Sequence, residues 1–193
     1  MSPFATYRSV WEYLFVLNLG SKAEQEIVAL KKELQSKIGL FPSAHSVPHI
    51  TIGNVILQQK HAEILLQRLD RLCRKTEPFP VHLNNFEQFT QRNIFANPAN
   101  STVIVEFMKK CEQASQGLEL KAAWAPKQKK PHVTIARGLG NQFEEAWEMF
   151  ESRSYVADFQ VNDLIVLRRL HGQPYEQVAQ FLFKSEAVQM KLF

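Results

Sequence analysis

Cysteine is scarce in this 193-residue chain: only Cys73 and Cys111 occur, far apart and outside any C-x-x-C pattern. Their scarcity excludes a disulfide scaffold and fits a reducing compartment. Both sit within apparent helical patterns, where a free thiol behaves as a small hydrophobe. Long hydrophobic runs are also missing, and no stretch approaches the roughly 18 apolar residues needed to span a bilayer. The N-terminal MSPFATYRSVWEYLFVLNLG has no basic segment before its apolar run, so it makes a poor signal peptide. A cytoplasmic location with no membrane attachment is the expectation. There is no low-complexity segment, no obvious linker, no H-E-x-x-H and no Cys/His cluster, so neither a metal nor a cofactor is expected. Charge of one sign is lacking too. Lys and Arg number 23 against 19 Asp and Glu, and the net +4 only mildly favours an anionic partner.

What is present suits a folded domain. Hydrophobic residues make up 45% and charged residues 22%, near the average for globular proteins, and fourteen Phe with three Trp supply a core. The run from Trp11 to Leu17 is short, aromatic and β-branched, which predicts a buried strand. Ser21 and Glu24 form a capping box for a helix with Ile27, Leu30, Leu34 and Ile38 on one face, and Gly39 offers a stop. A strand over 47–57 follows, entered through Pro48, then a helix over about 60–75 with Leu65, Leu69 and Leu72 buried and Arg68, Arg71, Arg74 and Lys75 in solvent. Strands over 80–89 and 93–97 enclose the turn Thr90-Gln91-Arg92, and Ser101 opens a helix carrying Ile104, Met108, Cys111 and Ser115 at helical spacing. Residues 117–130 read as a long irregular connector. A strand over 131–137, a helix capped by Asn141 and Glu144, and two strands over 157–168 and 175–184 complete an α+β order.

One short sequence occurs twice. Pro48-His49-Ile50-Thr51-Ile52 is echoed by Pro131-His132-Val133-Thr134-Ile135, with the histidines 83 positions apart. Side chains alternate along a strand, so His49 and Thr51 share one face while Ile50 and Ile52 share the other, and the second copy behaves alike. A proline at the first position of a strand removes no needed ladder bond. Two such strands side by side would line a groove with two imidazoles and two hydroxyls. That set suits cleavage of a phosphodiester: one His takes a proton from the attacking oxygen, the other gives one to the leaving oxygen, and the Thr hydroxyls donate to the phosphate. A single H-x-T on a strand is most often structural; a duplicated one is not.

At these residues the chain resembles the two-histidine (2H) phosphoesterase superfamily, whose signature is a pair of H-x-T-x tetrads, here His49-Ile50-Thr51-Ile52 and His132-Val133-Thr134-Ile135. It is most similar to the branch called 2′–5′ RNA ligase or RNA 2′,3′-cyclic phosphodiesterase, which often reads P-H-x-T-x-x-R as Pro131 to Arg137 does. The segment Ile165-Val166-Leu167, with Gly172 and Tyr175 after it, also looks like that branch's last strands. The resemblance implies a bilobal fold spanning 1–193 as one domain, with two pseudo-symmetric lobes of antiparallel sheet, helices outside, and a tetrad from each lobe meeting in a central cleft. It implies metal-independent attack on 2′,3′-cyclic phosphates or 2′–5′ linkages, His49 and His132 as the acid–base pair, and Arg137 beside Thr51 and Thr134 as phosphate ligands.

Strict alternation would put Arg137 on the wrong face, so its role requires the strand to end or twist after Thr134. The first tetrad has Gly53-Asn54 where a second Arg could stand, which makes the site electrostatically asymmetric. The substrate expected is an RNA end or a small cyclic or 2′–5′ nucleotide, acted on by a monomer. Lys127, Lys129 and Lys130 could steer RNA, and Tyr13, Phe15, Phe89, Phe95 and Trp124 are candidates to stack on a base. His45, His61, His82 and His171 have no repeated context. Two other readings compete: a non-catalytic RNA-binding module of the same fold, and a phosphodiesterase for a non-RNA metabolite such as an ADP-ribose cyclic phosphate.

Overall fold

The computed structural model describes residues 10–124 and 130–186. Strands β1 (Val10–Leu17), β2 (Ile50–Gln58), β3 (Phe79–Phe89), β4 (Asn93–Pro98), β5 (Glu119–Trp124), β6 (Val133–Ala136), β7 (Val156–Val161), β8 (Asp163–Arg169) and β9 (Glu176–Leu182) are joined with helices α1 (Ser21–Ile38), α2 (Ala62–Arg74), α3 (Ser101–Ser115) and α4 (Phe143–Glu148). Every strand pairing is antiparallel, in the order β7-β3-β4-β6-β2-β1-β8-β9. One edge of β2 is shared: β6 meets it at Ile50, and β5 takes over from Gly53 to Leu57. The α+β class and the two antiparallel halves are as expected, with β7-β3-β4-β6 in one and β5-β2-β1-β8-β9 in the other.

The helices tie the halves together. The helix α1 connects β1 to β2 yet packs against β6, β7 and α4, while α3 follows β4 yet packs against β2, β5 and α2. Each crossing helix therefore covers the half it did not come from. One contiguous core results, joining Ile27 and Leu34 of α1, Ile104 and Met108 of α3, and Ile50, Ile52, Val133 and Ile135 of the tetrad strands. No helix among the described residues is long and apolar enough to cross a membrane.

Several expectations need correction. Neither Ser21 nor Ser101 caps a helix through its side chain, because the N-cap position falls one residue earlier, at Gly20 and Asn100. At α1 the Gly20 carbonyl accepts the Glu24 N–H at 3.0 Å, so Ser21 already lies in the first turn. The expected cap at Asn141 and Glu144 is likewise absent; a short tight turn over Gly140–Gln142 leads into α4, six residues long. In α2 the buried stripe runs through Leu65, Leu69 and Cys73, with Leu72 only half-buried, and Arg68 donates to the carbonyls of Ala114 and Gln116. The connector after α3 is not irregular throughout: Glu119–Trp124 is a strand because the open edge of β2 supplies its hydrogen bonds. The predicted strand over 157–168 is two strands, since the chain leaves β3 and joins β1 across Asn162.

Candidate active site

The tetrad strands meet at one Cα pair, Ile50 opposite Val133. Extending antiparallel register by one residue each way sets His49 across from Thr134 and Thr51 across from His132. A local dyad between the strands thus exchanges one tetrad for the other. Ile50, Ile52, Val133 and Ile135 are fully buried, whereas His49, Thr51, His132 and Thr134 are partly exposed. The predicted division of faces is therefore present in both copies.

Both strands then bulge at the same place. On β2, Thr51 pairs with Val16 and Gly53 with Phe15, which leaves Ile52 as an extra residue. On β6, Thr134 pairs with Phe95 and Ala136 with Ile94, which leaves Ile135 extra. An added residue inverts the alternation beyond it. Burial switches accordingly, from Ile50 and Ile52 to Val55 and Leu57, and from Val133 and Ile135 to Ala136. This is the local departure that Arg137 requires: the bulge puts it on the face of His132 and Thr134, and puts Asn54 on that of His49 and Thr51.

The imidazoles are held alike. Nδ1 of His49 donates to the Val47 carbonyl at 2.8 Å, and Nδ1 of His132 donates to the Lys130 carbonyl at 2.9 Å. A carbonyl can only accept, so each bond fixes the Nδ1–H tautomer of the neutral ring and assigns proton exchange to Nε2. Pro48 and Pro131 sit between the histidine and that carbonyl in both copies, where a fixed φ shapes the tight local bend.

Beyond this frame the two environments part. Because β6 runs antiparallel to β2, Arg137 at its end comes to the beginning of β2 and acts on His49. Burial lowers the pKa of His49 below its ordinary 6.5; the bond to Val47 opposes this, and the charges of Lys31, Arg137 and His132 add to it. Lys31 projects from α1 and is 2% exposed, and its ammonium donates to the carbonyls of Ser43 (3.2 Å) and Ser46 (2.8 Å) and to the Ser46 hydroxyl (2.9 Å). The Ser43 hydroxyl in turn accepts the Arg137 backbone N–H at 3.1 Å. His132 instead packs against Phe95 and Phe89, with ring centroids 5.2 and 5.4 Å away, and those two rings stack on each other at 4.1 Å.

Asn54, the counterpart of Arg137, belongs to a different network. It donates to Glu12 Oε1 at 2.5 Å, while Arg169 donates to Glu12 Oε2 at 2.6 Å and lies over the Tyr175 ring. Burial pushes the Glu12 carboxyl up, but the bonds from Arg169, Tyr175 and Asn54 and the Arg169 charge bring it below its ordinary value. Burial, then the bond to Glu12, pushes the Tyr175 hydroxyl up to about 12.

The other predicted contributors scatter. Tyr13, Phe15 and Phe95 are core residues, so among the described stacking candidates Phe89 alone is both partly exposed and beside a tetrad histidine. The Trp124 side chain, Lys127 and Lys129 lie outside the described residues. Lys130 is exposed and pairs with Glu87 at 3.5 Å. His61 is bonded to the Leu118 carbonyl at 3.0 Å and His82 to Asp158, both away from the tetrads. Lys31, Ser43 and Ser46 escaped the sequence reading. Its one trace was a lysine at position 31, four residues after Ile27 on a stripe otherwise apolar.

A sheet that brings two equivalent H-x-T-x strands together defines the 2H phosphoesterase class. A family model described as the 2′-5′ RNA ligase superfamily matches residues 21–173, and the chain belongs to that family. No curated protein sequence matches it. Among solved structures it is similar to LigT of E. coli complexed with NADP+, at 13% identity and a TM-score of 0.64, over 91% of this chain and 99% of that one. LigT complexed with 3′-AMP matches at 13% identity and a TM-score of 0.62, over 91% and 98% of the respective chains. TT0787 of Thermus thermophilus matches at 18% identity and a TM-score of 0.60, over 91% of this chain and all of its own. These likenesses establish the fold.

Proposed function

We propose that the chain is a metal-independent phosphodiesterase that hydrolyses 2′,3′-cyclic phosphates or 2′–5′ diesters of RNA ends or small nucleotides. The observation that carries this reading is the pair of imidazoles on adjacent strands, each locked by a carbonyl two residues back so that Nε2 exchanges the proton. His49, kept neutral by burial and by Lys31 and Arg137, accepts the proton of the attacking water as its oxygen bonds to phosphorus. The bond from phosphorus to a ribose oxygen breaks, and His132 gives that oxygen its proton. Thr51 and Thr134 donate to the non-bridging oxygens, and Arg137 stabilises the charge that grows on them.

The ligands in the LigT structures support a substrate the size of a nucleotide. The reading takes 1–193 as one bilobal domain. Both tetrads come from one chain, which is consistent with a monomer, and the two free buried thiols suit the cytoplasm. The test is incubation with EDTA and an oligonucleotide ending in a 2′,3′-cyclic phosphate, followed by mass and linkage analysis of the product. Conversion to a single monophosphate end is expected. Salt-dependent RNA binding without turnover would support a non-catalytic module instead, and turnover of only a non-RNA cyclic phosphate would move the substrate class.

A further inference from the structure

The helix α1 buries five positions, and one of them is charged: Lys31 lies with Ala23, Ile27, Leu30 and Leu34 on the core side. In α3, which crosses to the other half, the buried positions Ile104, Phe107, Met108, Cys111 and Ser115 include no charged residue. An ammonium placed in a core is costly unless its donors are satisfied. Here all three N–H donors have acceptors, yet these are two carbonyls and a hydroxyl, and no carboxylate is among them. Among the described residues Lys31 forms no salt bridge, and the nearby charge acting on it is that of another cation, Arg137.

What the ammonium holds is the approach to His49. Residues 43–47 form a strap closed by its own bonds: the Ser46 N–H and hydroxyl both donate to the Ser43 carbonyl, at 3.1 and 2.9 Å. Lys31 grips this strap from beneath at Ser43 and Ser46. The next residue, Val47, presents the carbonyl that takes the Nδ1 proton of His49. The Ser43 hydroxyl anchors the backbone of Arg137 from the same strap. The strap that one buried amine bonds thus touches both the histidine and the arginine on this side of the site.

We propose that Lys31 is a positioning residue for His49: it anchors the 43–47 strap so that the Val47 carbonyl holds His49 as the Nδ1–H tautomer. This rests on the reading of His49 as the base. The charged and titratable groups acting on His49 are Lys31 from α1, Arg137 just after β6 and His132 just before it. Of these, Lys31 is the buried one whose position is fixed by three hydrogen bonds.

The test uses the full chain with 15N-labelled histidine. Lys31→Met removes the charge and the anchor while keeping an unbranched side chain of similar length. Nitrogen shifts of the His49 ring should move from the Nδ1–H pattern towards a tautomer mixture, and its titration should move to higher pH, with His132 keeping its Nδ1–H pattern. In turnover, kcat should fall by about 100-fold, as for a misplaced catalytic group, with KM changed far less, and the acidic limb of the rate profile should move to higher pH. Ser46→Ala keeps the charge and removes one acceptor, so a smaller tautomer change with little change in titration is expected. That variant decides the matter if Lys31→Met does not fold. Wild-type tautomer and titration in the folded variants would overturn the proposal. The ring shifts are read without substrate, so an inactive wild type would undo the phosphodiesterase reading and leave this one to be judged separately.

Discussion

Among the described residues, Lys31 below the strap and Arg137 from the neighbouring strand act on His49, while the rings of Phe89 and Phe95 pack against His132. The backbone makes no such distinction. Each strand begins after a proline, bonds its histidine to the carbonyl two residues back, and bulges at the isoleucine that follows Thr. A local dyad can duplicate geometry, whereas acid–base catalysis needs two groups in opposite protonation states at the same pH. Under the proposed reading, repeating the strand and varying what packs behind it would meet both demands. The same division explains Asn54. On the side where a second arginine would complete the symmetry, Glu12 and Arg169 form a pair that Asn54 joins.

The comparison breaks most visibly when either imidazole is removed. His49→Ala and His132→Ala should each lower kcat/KM for a 2′,3′-cyclic phosphate by about 10²–10⁴-fold, the usual contribution of a positioned acid or base. The two losses should differ in their pH dependence. The acidic limb of the wild-type profile should lie below pH 6.5, because the pKa of His49 is depressed, and this limb should vanish in His49→Ala. His132→Ala should keep that limb and lose the alkaline one. Identical residual profiles would mean that the environments do not set the roles.

Arg137→Gln sharpens the comparison at the next level. If Arg137 stabilises developing phosphate charge, its loss should lower kcat by about 10²–10³-fold, the scale of one preorganised donor. It should also raise the titration of His49, whose ring it disfavours from protonating. Unchanged turnover would make it a surface cation at a strand end. Steady-state kinetics and histidine titration by NMR on the one variant separate these outcomes.

How much of this was legible beforehand follows from the range of the forces involved. The tetrads, their shared faces and the helices α1, α2 and α3 were readable because periodicity records burial one residue at a time. The bulges at Ile52 and Ile135 left no mark in the pattern, since an isoleucine fits either side of a switch in parity. What pointed to one of them was the arginine at 137, whose proposed role demanded a departure from alternation. The strand β5 was missed because Glu119–Trp124 owes its conformation to the open edge of β2, a partner more than 60 positions earlier in the sequence. Lys31 was hidden for a related reason. A Lys31-Lys32 pair on a helix reads as solvated surface until the strap that accepts its protons is placed above it.

The smallest expected effect concerns stability and isolates the charge behind His49. Burial first, and then the Arg137 charge, lower the pKa of Lys31 from its ordinary 10.5 to about 8. Between those limits the unfolded chain binds more protons than the native one, so this residue's contribution to stability rises with pH. Below about pH 8 both states are protonated, and the cost of burying the ammonium is constant. Other groups act in the opposite sense. The Cys73 thiol, raised by burial from 9.0 to about 12, stays protonated in the native state while the unfolded thiol ionises, which costs stability as pH rises. Those contributions are common to the wild type and Lys31→Met, and His49, which the variant also affects, has its pKa below 6.5 in the wild type, so on the alkaline side the difference between their unfolding curves reports chiefly Lys31. From about pH 7.5 to 9 the wild type should gain about 1 kcal/mol relative to the variant in urea denaturation. A difference independent of pH would mean that the ammonium is paired with an anion, and the site of His49 would then owe its asymmetry to Arg137.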